Sequence, residues 1–454
     1  MGYNTADRVL EQTQTSGTGN ITLSGVVTGY RTFGSMVPAN GDIFPYVIAG
    51  GSEWEVGIGT RLSATTFSRS PTASSNAGAL VNFSAGTKET WIDWTHHHVS
   101  MLRAANMIIN PAMEISQENG STAVSVSGSV QKYIVDGWAY GQQGSQVVSG
   151  AQVADAPPGF KYSLKFSVTT ANASPSANNN ASPVMYVEGR RAARLWFGQS
   201  YAQGFAIGFW WKSHRTGTYN FSVHNSAFNR AYIVDFNVNA VDTWEYKSFV
   251  IPPDTTGTWL GFGDSGIGLQ LYFSVMAAAA LQTTTGSWLA SALIASANIT
   301  NGVAATSDTH QITGLTLIPG VVPVPEAMSA LVMPPFNKAL YDSQRFYEKS
   351  YDYATALGTA VANGAITWGS SGQASSQYTV ALPFRFKVPK RAPPTMTYYS
   401  SSGASGKVRD VSNASDVTPT SLNTGEKLNI AQATMSASAN GFRMSGHFVA
   451  DARW

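Results

Sequence analysis

The chain has 454 residues, of which 43% are hydrophobic and 12% charged, with a formal net charge of +2 and no cysteine. This length indicates about three domains at roughly 100–200 residues each, and the lack of cysteine excludes disulfides and thiolate metal sites. Because the net charge is small and no long basic run occurs, the composition argues against a nucleic-acid-binding protein.

Small and polar residues replace the missing charges, and this composition favours turns and polar sheet faces over exposed helices. The first 20 residues lack the basic, apolar and small-residue order of a signal peptide. No run of about 18 apolar residues is present that could span a bilayer, so we expect no membrane insertion. We therefore expect an all-β, multi-domain protein. The lack of disulfides and of an export signal fits any cytoplasmic protein, and it also fits a particle that is assembled in a cytoplasm and released by lysis.

Residues 1–95 are punctuated by glycines, with short β-type runs at Ile21–Leu23, Phe44–Ile48 and Trp54–Ile58. Short strands with glycine turns at close spacing predict a small N-terminal β module. Glu53 and Glu55 flank Trp54, and we interpret them as surface charges that protect an edge strand from pairing. A connector, residues 96–105, follows this module.

Residues 106–318 are predicted to form a central antiparallel β-sandwich of the jelly-roll type, because alternating apolar residues recur without helices between them. In Phe205–Trp211 the odd positions are apolar, and Tyr162–Thr169 alternates in the same way. The other predicted strands are Thr218–Val223, Ala231–Val238, Thr243–Ile251 and Gly268–Val275. The glycine-rich segment 261–268 lacks the lysine and the helix that follow a phosphate loop, so we expect a turn there.

Residues 319–336 form a proline-rich linker, which stiffens the connection and cannot continue a ladder. Residues 337–454 are predicted to be a C-terminal β module preceded by one helix, Asn337–Leu357, whose apolar residues approach a helical period. The strands predicted after this helix are Tyr378–Leu382, Phe384–Val388 and Thr395–Tyr399.

The motifs GYRTF, DGWAYG and YDSQRFYEKSYDY each belong to a longer stretch of sequence that resembles bacteriophage tail-fibre and spike proteins, a family of virion appendages. GYRTF and EWEVGIGT, within residues 29–60, resemble an N-terminal β domain of phage tail and head appendages. NMIINPAMEIS, DGWAYG, FAIGFWWKSHRTGTYNFSVHN and GLQLYFSV, within residues 106–275, resemble the carbohydrate-binding-module-like sandwich of tail fibres. YDSQRFYEKSYDY and the closing GHFVADARW resemble the last fibre module. Ala277–Ala280 and the insertion after it depart from the family pattern, which leaves the topology of residues 276–300 open.

The resemblance implies a homotrimeric fibre or spike in the virion that is assembled in the host cytoplasm. Its N-terminal domain would contact other virion proteins, and its sandwich would bind a bacterial surface polysaccharide without a cofactor. One alternative is a polysaccharide depolymerase, and another is a purely structural head or tail appendage. We expect no enzyme, because catalytic motifs and the repeats of a β-helix are absent from the sequence.

The aromatic residues provide the candidate carbohydrate-binding positions. If Phe209 and Trp211 face the core, then Trp210 and Lys212 emerge on the other face of the strand. A ring beside hydrogen-bond donors suits a sugar, whose C–H face is apolar. The remaining candidates are His214 and Arg215 in the following loop, Trp138 and Tyr140 in DGWAYG, and Trp259. The alternative is that these rings pack inside the sandwich or between subunits.

The connector contains His96, His97 and His98. On an extended strand, His96 and His98 lie on one side, and three chains of a trimeric fibre would then bring imidazoles together around a transition metal. A solvated loop or a hinge is the alternative interpretation, and we expect that folding needs no metal.

Overall fold

The computed structural model describes residues 6–93, 106–320, 323–370, 377–436 and 442–454. In these ranges the chain is nearly all β, as its composition and alternation predict. The chain divides into two compact units, of which one comprises Met1–Asn106 and Gly320–Val332 and the other comprises Met107–Pro319 and Met333–Trp454. The finer boundaries predicted from the sequence stay predictions. No helix in the described ranges is long and apolar enough to cross a membrane.

Six strands of the first unit close into a barrel in the order β1-β2-β5-β4-β3-β6. They are β1 (Leu10–Thr13), β2 (Ile21–Val26), β3 (Ile43–Gly50), β4 (Glu53–Ser63), β5 (Thr66–Ser74) and β6 (Lys88–Trp91), and a one-turn helix α1 (Phe33–Met36) follows β2. Phe33, Phe44 and Phe67 pack in the barrel core at centroid separations of 5.1–5.7 Å. Gly59 leaves room for these rings, because a Cβ there would lie 2.8 Å from Phe44 Cζ.

Glu55 is fully buried inside this barrel. Its carboxylate accepts hydrogen bonds from the Tyr46 hydroxyl at 2.6 Å and from the Val81 amide at 2.8 Å, and it pairs with Arg69 at 3.1 Å. Since β4 pairs with β3 and β5, it has no free edge for Glu55 to protect. The interpretation of Glu55 as a surface charge is therefore wrong.

The second unit contains a sandwich of two antiparallel sheets. The first half of its strands are β7 (Val124–Ser127), β8 (Val130–Val135), β9 (Trp138–Gln143), β10 (Val147–Val153), β11 (Ser163–Thr170), β12 (Asn180–Glu188), β13 (Phe205–Ser213) and β14 (Gly217–His224). The other strands of this region are β15 (Ala231–Val238), β16 (Glu245–Ile251), β17 (Ile267–Ser274), β18 (Met276–Ala277), β19 (Gln282–Thr283), β20 (Trp288–Leu289), β21 (Ala295–Ser296) and β22 (Thr309–Pro319). Of these, β19 and β21 pair with each other as a separate parallel sheet.

The two sheets enclose one large apolar core. One sheet has the order β16-β13-β22-β11-β10-β7, and the other has the order β20-β15-β14-β17-β12-β9-β8 with β18 beside β12. Phe209 and Trp211 of β13 lie in the core with Phe221 and Phe273 of the facing sheet. The predicted sandwich, and the inward orientation of the odd positions of β13, are confirmed.

Residues 276–300 cover the outer face of the sheet that contains β14. The Ser296 amide donates to Asn220 Oδ1 at 3.0 Å, and Asn220 lies on the face of β14 opposite the core. β20 extends this sheet by pairing with β15, and the Trp288 indole donates to the Pro252 carbonyl at 2.9 Å. The insertion that departs from the family pattern is thus a cap on one sheet.

The C-terminal module begins with a helix that is shorter than predicted. Helix α3 (Phe336–Gln344) ends before Tyr347, and the next residues form β23 (Tyr347–Lys349), which pairs with β31. The prediction of a helix as far as Leu357 is wrong, because this pairing takes up the backbone hydrogen bonds. The remaining strands are β24 (Ile366–Ser370), β25 (Gln377–Arg385), β26 (Thr395–Ser400), β27 (Val408–Asp410), β28 (Ser415–Val417), β29 (Thr420–Thr424), β30 (Leu428–Ser436) and β31 (Phe442–Asp451).

This module packs directly against the sandwich. Arg345, at the end of α3, makes two hydrogen bonds to the Glu188 carboxylate at 2.6 and 2.8 Å. The Arg453 guanidinium lies 4.4 Å from the ring centroids of both Tyr133 and Tyr347 and pairs with Glu118 at 2.6 Å. Partly buried ion pairs and cation–π contacts therefore join the sandwich and the C-terminal module.

Candidate functional site

An aromatic cleft of about 350 Å³ opens at the rim of the sandwich. One side comes from residues 189–201, which contain a one-turn helix α2 (Gly189–Ala192) and a 3-10 turn (Ala193–Leu195). The other side comes from the loop between β16 and β17. We define the aromatic cleft by the four rings of Trp196, Tyr201, Trp259 and Phe262, all of which line it.

Three of these rings are exposed, at 39% for Trp196, 59% for Tyr201 and 64% for Phe262. The Trp196 centroid lies 5.3 Å from that of Tyr201 and 4.7 Å from that of Phe262. The planes are inclined by 65° and 60°, so these contacting rings present an angled surface to the cleft instead of one flat platform. Exposed aromatic surface gathered in one place is typical of a binding site.

Trp259 anchors the aromatic cleft to the core. Its ring makes edge contacts with Phe197 at 4.9 Å and Trp288 at 5.5 Å, and its indole N–H donates to the Thr256 carbonyl at 3.0 Å. The ring is half-buried, so part of it faces the cleft while the rest packs against the sandwich.

Trp196 has a left-handed backbone, with φ 53° and ψ 29°. For a residue with a Cβ this conformation costs roughly 1–2 kcal/mol. A core residue offsets such strain by burial, but the Trp196 ring remains exposed. Strained residues that the fold holds in place cluster at functional sites, and this makes Trp196 the leading candidate for a ligand contact.

The two loops of the cleft are fixed to each other. The Gly198 amide donates to the Asp254 carbonyl at 2.8 Å, and the Asp254 carboxylate binds the Arg230 guanidinium through two bonds of 2.7 and 2.8 Å. A Cβ at Gly198 would lie 2.9 Å from the Gly257 carbonyl oxygen, so only glycine allows this approach. The rings are therefore preorganised by a rigid scaffold.

Trp210 lies on the outer face of its sheet, as alternation predicts, but its ring is covered. Only 8% of Trp210 is exposed, and the Tyr246 ring lies 5.4 Å away. A Cβ at Gly314 would meet both Phe160 Cζ at 2.7 Å and Trp210 Cδ1 at 3.0 Å, so Phe160 also reaches this position. The structure does not present Trp210 as an open platform.

Lys212 lies on the same face as Trp210 and pairs with Asp155. Asp155 also accepts a hydrogen bond from the Gln311 amide at 3.1 Å. Burial raises the pKa of Asp155, but the hydrogen bonds from Lys212 and Gln311 outweigh it, so the pKa lies below its usual range. The Lys212 ammonium also lies 5.2 Å from the centroid of the Trp244 ring, so Lys212 is held by this cluster.

His214 and Arg215 each bind a carboxylate. His214 Nδ1 lies 2.8 Å from Asp242 Oδ2, and the Arg215 guanidinium makes two bonds to Asp308 at 3.0 and 3.1 Å. Neither side chain lines the aromatic cleft. Trp259 is the sequence-predicted binding residue that the structure places there.

Trp138 and Tyr140 lie in the core instead of in a loop. Both are fully buried on β9. The Trp138 indole donates to the Asn110 carbonyl at 3.3 Å, and the Tyr140 ring packs at a tilt against Phe166, with 4.7 Å between the ring centroids. Burial raises the pKa of the Tyr140 hydroxyl. The prediction that Trp138 and Tyr140 lie in a loop is wrong. The turn ends at Gly137, which has φ 78°, and β9 begins at the next residue.

The sequence interpretation missed Trp196, Tyr201 and Phe262. All three occur between strands, in the glycine- and polar-rich runs RLWFGQSY and LGFGDSG. Aromatic residues outside any alternating pattern were a usable signal, because a loop cannot bury every ring that it carries. His96 and His98 lie outside the described residues. Within the described ranges, no group of three or more histidine and carboxylate side chains could hold a metal ion.

No protein-family model and no curated protein matches the chain. Among solved structures, the chain is similar to the enzymatically active domain of tailspike protein 4 of bacteriophage CBA120. The match covers 41% of this chain and 20% of the tailspike chain, with 14% sequence identity and a TM-score of 0.24. The match with TmCBM61 in complex with β-1,4-galactotriose covers 48% of this chain and 99% of the TmCBM61 chain, with 13% identity and a TM-score of 0.24. The family 11 carbohydrate-binding module from Clostridium thermocellum, in complex with a mixed-linked tetrasaccharide, matches 44% and 99% at 11% identity and a TM-score of 0.23.

These similarities are remote. The aromatic cleft is lined by its four defining rings and by Phe197, and its polar side chains are the amide of Gln199 and the hydroxyl of Tyr201. Such a surface can stack against an apolar ligand face and make a few hydrogen bonds to its rim.

Proposed function

We propose that this protein is a receptor-binding fibre or spike protein of a phage virion and that it binds a bacterial surface glycan in the aromatic cleft. The observation that supports glycan binding is the group of exposed, inclined rings of Trp196, Tyr201 and Phe262, which two fixed loops hold in place. Sugars present apolar C–H faces to such rings. The phage part rests on the order of the three segments that resemble tail-fibre proteins.

The aromatic cleft supports binding better than hydrolysis. A glycosidase places two carboxylates on either side of the scissile bond, at about 5–9.5 Å from each other. No aspartate or glutamate from the described part of the chain lines the cleft. We therefore propose that the protein is not an enzyme. Many copies on one particle would raise the strength of a weak site through avidity.

The test compares glycan binding of Trp196→Ala and Phe262→Ala with that of the parent, using purified host surface polysaccharide and adsorption to host cells. By analogy with stacking of nucleic-acid bases, one lost ring costs about 1–3 kcal/mol, which weakens binding roughly 5- to 150-fold. Trp368→Ala is the matched control, because Trp368 is a 52% exposed tryptophan of the C-terminal module.

We expect both cleft variants to melt like the parent and to lose binding, and Trp368→Ala to retain it. Folded cleft variants that bind as well as the parent would contradict the proposal. Release of reducing ends from the polysaccharide, abolished by replacing one aspartate or glutamate, would favour the depolymerase alternative.

A further inference from the structure

The lining of the aromatic cleft carries no formal charge. Within the described residues, its side chains are alanine, leucine, phenylalanine and tryptophan, with Gln199 and Tyr201 as the polar exceptions. A carboxylate or phosphate brought into such a cleft would lose water without gaining a cation or a set of hydrogen bonds, which is costly. The chemistry of the lining therefore disfavours an acidic sugar.

The arrangement of the rings also limits which neutral sugar fits. A flat aromatic platform accepts the C–H face of any hexose and leaves its hydroxyls in water. Here the Trp196 ring is inclined by 65° to the Tyr201 ring and by 60° to the Phe262 ring, so a group that enters the cleft beside these rings meets apolar surface on more than one side. A hydroxyl in that position would lose its hydration, whereas a methyl group would gain contacts.

We propose that the aromatic cleft selects a neutral sugar that carries a methyl group, either an acetamido sugar or a 6-deoxy sugar, and that the methyl lies inside the cleft against Trp196, Tyr201 and Phe262. The volume of about 350 Å³ lies at the lower end of about 300–1,000 Å³ for small-molecule sites, which suits one sugar unit. Gln199 and Tyr201 are the side chains in reach of its polar rim. This inference rests on the proposed function.

The experiment titrates the full chain with four sugars and follows ligand-detected NMR and tryptophan fluorescence. N-acetylglucosamine and L-rhamnose carry the methyl group, glucose lacks it, and glucuronate is charged. One of the two methyl-bearing sugars should bind at least about fourfold more tightly than glucose, since one buried methyl contributes about 0.8 kcal/mol. Its methyl protons should receive the strongest saturation transfer from the protein.

Two variants locate the effect. Phe262→Ala removes one wall and should reduce the preference for the methyl-bearing sugar over glucose, whereas Trp368→Ala should leave it unchanged. Whether N-acetylglucosamine or rhamnose binds more tightly identifies the source of the methyl group.

The outcomes separate this inference from the proposed function. Equal or tighter binding of glucose or glucuronate, abolished by Trp196→Ala, would overturn the methyl selectivity and retain the glycan site. Binding of no sugar up to its solubility, or binding that Trp196→Ala does not change, would contradict both.

Discussion

Trp196 illustrates how one residue can be unfavourable for the fold and useful at a surface. Its left-handed backbone is one that glycine adopts without steric cost, yet a tryptophan occupies it with 39% of its surface exposed. The 3-10 turn Ala193–Leu195 ends at this residue. Its ring contacts those of Tyr201 and Phe262 at the surface.

Trp196→Gly should separate stability from binding. Relief of the left-handed strain, about 1–2 kcal/mol, offsets the greater flexibility of glycine and the lost ring contacts. We expect a melting temperature within about 4 °C of the parent, a shift that corresponds to roughly 1–2 kcal/mol in a domain of this size, together with loss of glycan binding. Calorimetry and a binding assay measure the two effects, and a large drop in melting temperature would show that the ring is structural.

His310 should make the sandwich sensitive to acid. It is buried beside Trp211, and its Nε2 donates to the Gly302 carbonyl at 2.7 Å. Burial lowers its pKa from 6.5 to about 4, although the bond to Gly302 opposes the shift. The unfolded chain takes up this proton near pH 6.5 and the folded chain only near pH 4, so the contribution of His310 to stability is present above pH 6.5 and lost as the pH falls toward 4.

At about 1.4 kcal/mol per pH unit, His310 alone should lower the free energy of unfolding by roughly 2 kcal/mol between pH 6.5 and 5. Urea unfolding at pH 7.5 and pH 5 measures this loss. His310→Gln should be less stable than the parent at pH 7.5 but lose less stability on acidification. If His310→Gln loses as much stability as the parent between pH 7.5 and pH 5, His310 is not the group responsible.

At the scale of single residues, the sequence predicts the face of a strand on which a side chain lies. It does not predict which other residues cover that side chain. Alternation along β13 correctly predicts that Trp210 and Lys212 share the face away from Phe209 and Trp211. The cover over Trp210 comes from Tyr246 and from Phe160, which is 50 residues away in the sequence. Contacts at that separation depend on how strands are ordered in the sheet, which local periodicity does not encode.

At the scale of elements, a charged pair links the end of α3 to the end of β12. Glu188 is buried and Arg345 keeps 19% of its side chain exposed, and hydrogen bonding to Glu188 raises the pKa of Arg345. Removal of one partner leaves the other charge buried without compensation, which typically costs about 3–5 kcal/mol.

Arg345→Met should therefore destabilise the second unit by about 3 kcal/mol, at the lower end of that range because Arg345 is partly exposed. Lys338→Met is the matched control on the same helix. It breaks the exposed pair with Asp342, which should contribute less than about 0.5 kcal/mol. Denaturant unfolding compares the two, and equal losses would show that the Glu188–Arg345 pair is not special.

Strands and helices with strong local patterns can be predicted from the sequence, but the C-terminal end of α3 could not. Ala231–Val238 is predicted with its bounds as observed, since alternation and β-branched residues act within one strand. The predicted helix continues too far because its apolar spacing is kept by Tyr347 and Tyr351. Those residues are instead buried beside β31, about 100 residues later, and such pairing is decided by the completed sheet.

At the scale of the whole molecule, we predict a homotrimer. The prediction rests on the resemblance to tail fibres and on apolar surface that one chain leaves open, such as Phe336, Tyr341 and Tyr353 at 44%, 55% and 36% exposure. Burial of such rings between chains is a common source of stability in oligomers. Mass measurement in solution should give three chains per particle, and a stable monomer at micromolar concentration would contradict the prediction unless assembly requires the virion.

The aromatic cleft is built from loops that contribute little to the sandwich core. Trp196, Tyr201 and Phe262 are exposed, whereas the anchors Asp254 and Arg230 hold the loops from beneath. Replacement of the exposed rings therefore changes the shape of the cleft at small cost to folding. A lineage of such chains could follow changes in its ligand through substitutions at these few positions, while Asp254, Arg230 and Gly198 keep the loops in place.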